Sequence, residues 1–118
     1  MKRSTAPSRL TLPRAWATWV DTGSAAVIRA SHNVSSVTRN SSGNYTVSWA
    51  RPFGYAAGAT GYAVVGSCRV SAAVGGMQID PTDGVTGAYT NTLTRVITGA
   101  IGTGVADADV ATIAAWGP

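Results

Sequence analysis

Seven side chains of this sequence have the chemistry of a nucleophile, a base or a metal ligand: His32, Cys68, and the carboxylates Asp21, Asp80, Asp83, Asp107 and Asp109. A cysteine and a histidine within hydrogen-bond reach would make an activated thiolate. Nothing in the spacing brings Cys68 to His32. Cys68 reads as a small apolar residue on a strand, and His32 as a group making a local hydrogen bond at a bend. Each carboxylate lies in or beside a turn, where an aspartate bonds its own backbone; a glycosidase would need two of them facing each other across a sugar cleft. Asp80 with Asp83, or Asp107 with Asp109, offer the oxygen ligands that Ca²⁺ takes, without the spacing of an EF-hand loop. Gly99-Ala100-Ile101-Gly102-Thr103-Gly104 has the glycines of a phosphate loop. It lacks the lysine and the helix through which such a loop works, and reads as a hairpin connection. The expectation is a protein that is not an enzyme and takes no cofactor and no metal.

The remaining chemistry is that of contact. Lys2, Arg3, Arg9 and Arg14 share one sign in a stretch broken by Pro7 and Pro13, which reads as an extended basic arm over residues 1–14. Such an arm either docks on a neighbouring subunit or is a solvated chain end. Trp16, Tyr45, Trp49 and Tyr62 fall on strand patterns and read as core or interface. Phe53 and Tyr55 fall in a Gly/Ala-rich loop over residues 51–61 and are the candidates for contacting a surface ligand such as a glycan. The formal charge is +4 and eight of the nine cations are Arg. They cluster only at the N-terminus, so scattered charge that keeps a Glu-free chain in solution is the reading, with no nucleic-acid partner. A single cysteine forbids an intrachain disulfide and fits a reducing compartment. The basic start is followed by no apolar stretch, and no apolar run reaches about 18 residues, so neither a secretory signal nor a membrane span is expected.

These residues need a scaffold, and the composition says which kind. A chain of 118 residues fits one domain. Glu is absent, Leu occurs three times, and Val, Thr, Ser, Ala and Gly dominate, which favours pleated strands over helices. Residues 16–20 read as a strand closed by the turn Asp21-Thr22-Gly23-Ser24. Residues 25–39 read as strand-like with a bulge or bend at His32-Asn33. Asn40-Ser41-Ser42-Gly43-Asn44 is a hairpin turn leading into Tyr45-Thr46-Val47-Ser48-Trp49, which puts Tyr45, Val47 and Trp49 on one face. Residues 62–70 form a strand with Tyr62, Val64, Cys68 and Val70 on one face, Gly66 leaving a gap among them, and Ala63, Val65, Ser67 and Arg69 on the other. Residues 71–89 show no regular pattern. Residues 90–98 form a strand, 99–107 a connection, and 108–116 the last strand. The sum is an all-β fold, a small antiparallel sandwich or barrel of six or seven strands over residues 15–118, preceded by the arm.

The run Ile28-Arg29-Ala30-Ser31-His32-Asn33-Val34-Ser35-Ser36-Val37-Thr38-Arg39-Asn40-Ser41-Ser42-Gly43-Asn44-Tyr45-Thr46-Val47 resembles a module recurrent in the tail proteins of tailed bacteriophages. Gly61-Tyr62-Ala63-Val64-Val65-Gly66-Ser67, Thr94-Arg95-Val96 and Asp109-Val110-Ala111-Thr112-Ile113-Ala114-Ala115-Trp116 are similar to its later strands. The resemblance covers residues 15–118. It departs at Asn44, where the module tends to have Asp, and over residues 71–89, which have no match. It implies a virion structural protein on the tail or particle surface, a tail-fibre or tail-attached fibre module in assembly and host attachment. Its implied partners are other virion proteins, copies of itself as a homo-oligomer with a trimer favoured, and a host surface glycan. Assembly would take place in the host cytoplasm. A capsid decoration or head-fibre protein, and a free carbohydrate-binding module, are the alternatives.

Overall fold

The computed structural model describes residues 12–54, 62–71, 75–80, 90–100 and 104–117. Among them are nine strands and no helix: β1 (Ala15–Asp21), β2 (Ala26–His32), β3 (Val34–Ser41), β4 (Asn44–Trp49), β5 (Ala63–Arg69), β6 (Gly75–Ile79), β7 (Leu93–Ala100), β8 (Gly104–Val105) and β9 (Val110–Trp116). They form two antiparallel sheets. One has the order β2-β1-β9-β5; the other has the order β3-β4-β7-β6, with β8 bonded to β7. The fold is a small all-β sandwich.

The period of two decides what each sheet buries. β1 turns Ala15, Ala17 and Trp19 inward, and β9 adds Ala111, Ile113 and Ala115. From the other sheet come Tyr45, Val47 and Trp49 on β4 and Val96 on β7. One inner face is thus mostly small, and the other mostly large. Small residues on one face facing large ones on the other let two sheets interdigitate closely. Trp19 meets Tyr45 edge-on, with centroids 5.5 Å apart. Trp19, Val47 and Ile113 are fully buried, each contributing about 1.5–3 kcal/mol by removal from water.

The chain crosses between the sheets at Asn33, the only described non-glycine residue with positive φ (55°). Asn tolerates that conformation better than most residues. The Asn33 carbonyl accepts from Ala50 N–H at 3.0 Å. Its Oδ1 accepts from Arg51 N–H at 2.7 Å, and its Nδ2 donates to the Arg51 carbonyl at 3.2 Å. The expected interruption at His32-Asn33 is therefore a sheet-switching corner, where Asn33 bonds across the chain to residues 50 and 51. The hairpin that follows turns through Ser42-Gly43, with Ser41 paired to Asn44. Gly43 has φ 67°, and a Cβ there would lie 2.6 Å from the Ala106 carbonyl oxygen.

Other expectations need correction. Residues 71–89 were expected to be irregular, yet they contain β6, paired with β7 from Gly75↔Ala100 to Ile79↔Val96. Two glycines and a Met-Gln pair hide that strand from the period-two reading. Tertiary packing explains it: Met77 occupies the space that Gly66 leaves on β5, where a Cβ would collide with the Met77 sulfur. The connection over 99–107 contains β8, so the strands among the described residues number nine rather than six or seven. The last strand starts at Val110, not at 108.

Candidate functional site

Arg14, just before β1, and Asp21, its last residue, are separated by roughly 23 Å at the rise of an extended strand. Each end carries a cluster of polar side chains.

At the Asp21 end, a network joins the two sheets. The Asp21 Oδ1 accepts from Gly23 N–H at 2.6 Å. Its Oδ2 accepts from the Tyr45 hydroxyl at 2.5 Å and from Arg39 Nε at 3.2 Å. Arg39 reaches the other way through Nη2 to Asp107, at 2.9 Å to Oδ2 and 3.2 Å to Oδ1. Gly43 N–H donates to Asp107 Oδ1 at 2.7 Å, and Ala108 N–H donates to the Tyr45 hydroxyl at 3.3 Å. The Asp21 side chain is only 1% exposed. The bond from Arg39 lowers the pKa of Asp107, its burial opposing the shift. Desolvation, and then the bond to Asp21, push the Tyr45 phenol well above its ordinary value. The chemistry follows from these directions. A general acid needs a carboxyl that holds its proton near neutrality, whereas here an arginine keeps Asp107 ionised and Tyr45 keeps its proton to donate to Asp21. The network is a clamp between β1, β3, β4 and the 106–109 connection.

The other described carboxylates are spent similarly. Asp80 is buried and its Oδ2 accepts from Asn44 Nδ2 at 2.9 Å, while Asp109 Oδ2 accepts from Ser71 N–H at 3.0 Å. Cys68 sits on β5 and its thiol donates to the Gly76 carbonyl at 3.3 Å; burial raises its pKa. His32 ends β2. Two strands, β1 and β9, stand between β2 and β5 in the sheet, which separates the thiol from the imidazole by roughly 14 Å or more. Among the described residues no three of His, Cys, Asp or Glu group to hold a metal ion.

At the Arg14 end lies a cleft lined by Arg14, His32, Asn33, Ala50 and Arg51, with Leu12 and Pro13 along its rim. Arg14 is fixed against β9: its N–H donates to the Ala115 carbonyl at 2.8 Å and its Nη1 to the Gly117 carbonyl at 3.2 Å. Arg51 is fixed through its backbone by Asn33. The ion pairs among the described residues both use Arg39, so neither guanidinium of the cleft is paired with a carboxylate there. Trp16 lies beside the cleft. It is the cross-strand partner of His32, half-buried, and on the outer face of β1, opposite the inward Ala15 and Ala17.

The residues expected to make contacts fare differently. Phe53 was expected to stand exposed in its loop; it is instead 3% exposed. It stacks on Tyr62 with centroids 4.2 Å apart and meets Trp49 edge-on at 5.6 Å. Tyr62 anchors this cluster by donating to the Thr90 carbonyl at 2.6 Å. Phe53 is thus core, because an aromatic ring beside two others gains more from stacking than from water. Arg14 is tied to the domain it was expected to leave. Lys2, Arg3, Arg9, Tyr55 and Asp83 lie outside the described residues. The sequence reading missed Arg51, Trp16 and His32 as neighbours, because the β1–β2 and β3–β4 pairings bring them together and no local pattern announces it. No family model matches the chain, and no curated protein or solved structure matches it.

Proposed function

We propose that the protein is a structural module of a bacteriophage virion, a tail-fibre or tail-attached fibre component that serves in assembly and host attachment. The observation that carries this reading is the role of the block from Ile28 to Val47, on which the resemblance to phage tail modules rests. That block builds β2, the Asn33 corner, β3, the Gly43 hairpin and β4, and Arg39 within it holds the clamp. Its shared residue types are those that set register and turn geometry, as expected of a scaffold that recurs while its ligands vary. Assembly as a homo-oligomer, with a trimer favoured, belongs to the same reading.

Immunogold labelling of intact particles with an antibody against residues 71–90 tests the location. Gold at the tail is the expected result. Gold over the head would replace the tail reading with capsid decoration, and unlabelled particles, with the antibody binding the isolated protein, would remove the virion role.

A further inference from the structure

We infer that the cleft at Arg14, His32 and Arg51, with Trp16 beside it, is a binding site for an acidic saccharide. This deepens the attachment role proposed above by naming the class of ligand.

Charge comes first. Arg14, His32 and Arg51 line one cleft, and among the described residues the carboxylates are engaged elsewhere: Asp21 and Asp107 by Arg39, Asp80 by Asn44, Asp109 by Ser71. Two arginines that line one cleft and have no carboxylate partner among the described residues favour an oxyanion between them. Arginine also matches carboxylate and phosphate oxygens in a planar, two-pronged geometry that lysine cannot offer.

Pre-organisation comes second. Arg14 loses little freedom on binding, since its backbone and one Nη are already bonded to the end of β9. The backbone of Arg51 is held from both sides by the Asn33 amide. The corner at Asn33, φ 55°, ends β2, and the pairing of Val34 with Trp49 across the β3–β4 hairpin sets residue 51 beside it. Strained backbone is retained where the surroundings over-determine it, and such places are commonly recognition sites.

The third feature selects a saccharide over a bare anion. Trp16 projects from the same face as His32, one strand away. A half-buried indole gives a rigid apolar plate at small entropic cost. Beside two cations it suits a ring that carries C–H groups on one face and a carboxylate or phosphate at its edge. An isolated phosphate would use the arginines and leave the indole idle.

The isolated protein is titrated by calorimetry with a galacturonic-acid oligosaccharide, the matching neutral galactose oligosaccharide, mannose 6-phosphate, inorganic phosphate and a poly-glutamate peptide. Acidic saccharides are expected to bind at least tenfold more tightly than the neutral one and than inorganic phosphate; the uronate and phosphosugar arms tell which oxyanion is preferred. Arg51→Ala should weaken saccharide binding tenfold or more with an unchanged melting temperature. Trp16→Thr should weaken saccharide binding and leave inorganic phosphate binding where it was. Equal binding of the neutral sugar, equal or tighter binding of poly-glutamate, no binding of either acidic saccharide, or an Arg51→Ala protein that binds as well as the parent would each overturn the proposal. Calorimetry reads the site and gold labelling reads the location, so either idea can fail while the other stands.

Discussion

The two ends of the sandwich treat arginine in opposite ways. At one end Arg39 lies between Asp21 and Asp107, and every charge is answered within about one hydrogen-bond length. At the other, Arg14 and Arg51 share a cleft with His32 and no described carboxylate pairs with them. The first arrangement ties β1 in one sheet to β3 and β4 in the other. The second spends its hydrogen bonds on holding the backbone, and leaves guanidinium N–H groups facing solvent. A buried, answered charge is expensive to disturb, because removing one partner strands the others. An exposed, unanswered charge is inexpensive to remove, and its use lies in what it can receive. The difference teaches that one end is spent on stability, while the other is left available for the contact proposed above.

The largest expected effect is at the clamp's turn. Gly43→Ala forces a side chain into a left-handed backbone and against the Ala106 carbonyl, 2.6 Å from the new Cβ. It also displaces the N–H that Asp107 accepts. Strain and overpacking together should cost about 2–4 kcal/mol, read from urea unfolding of parent and variant. A cost under about 1 kcal/mol would mean that the hairpin can shift without disturbing the clamp.

Tyr45→Phe should come next. It keeps the ring against Trp19 and deletes only the hydroxyl, which donates to Asp21 and accepts from Ala108 N–H. Leaving a carboxylate that is 1% exposed with one donor fewer, and a buried N–H unpaired, should cost about 1–3 kcal/mol. The same unfolding curve decides it. A neutral substitution would show that water replaces the hydroxyl, and the clamp would then be less sealed than its exposure indicates.

How much of this was legible in the sequence follows from distance along the chain. The hairpin was legible because Gly43 and the alternation of Tyr45, Val47 and Trp49 are local. The corner at Asn33 was half legible: an Asn in a broken strand signals a bend, and its clamp on Arg51 lies 18 residues away. The charge network was not legible. Arg39 finds Asp21 across 18 residues and Asp107 across 68, and no periodicity encodes which aspartate a sheet pairing will deliver. Asp21 caps its own turn at Gly23 as its type suggests, whereas Asp107 caps the distant turn at Gly43, 64 residues away, and both also answer Arg39. β6 and Phe53 were misread for one reason. Both are placed by packing against a partner, Gly66 for Met77 and Tyr62 for Phe53, and not by their own segments. The contact cleft was invisible for the same cause, since Arg14, His32 and Arg51 are neighbours only after the sheets close.

Acid should separate the two ends. Arg39 holds the Asp107 carboxyl below its usual range, so the folded protein takes up that proton less readily than the unfolded chain. The resulting stability is complete above the unfolded value, about pH 4, and is lost as pH falls further, through the lower folded value. Melting temperatures measured from pH 6 to pH 2 should therefore fall along an acid limb that Asp107→Asn flattens. An unchanged limb would assign acid sensitivity to other carboxylates and weaken the claim that the clamp end carries the stability.

The smallest expected effect is the one that fixes the other half of the comparison. Arg51→Ala removes a side chain that is exposed and leaves intact both bonds that Asn33 makes, since they go to the Arg51 backbone. Its stability should change by no more than about 0.5 kcal/mol. Removing one of two neighbouring cations should, if anything, raise stability slightly in low salt, and that small gain should vanish near 1 M salt, where the screening length falls to about 3 Å. Unfolding curves at low and high salt measure both terms. A loss of several times that size would mean that the Arg51 guanidinium is tied into the fold as Arg39 is, and the two ends would then be variations on one design, not a clamp and a receiver.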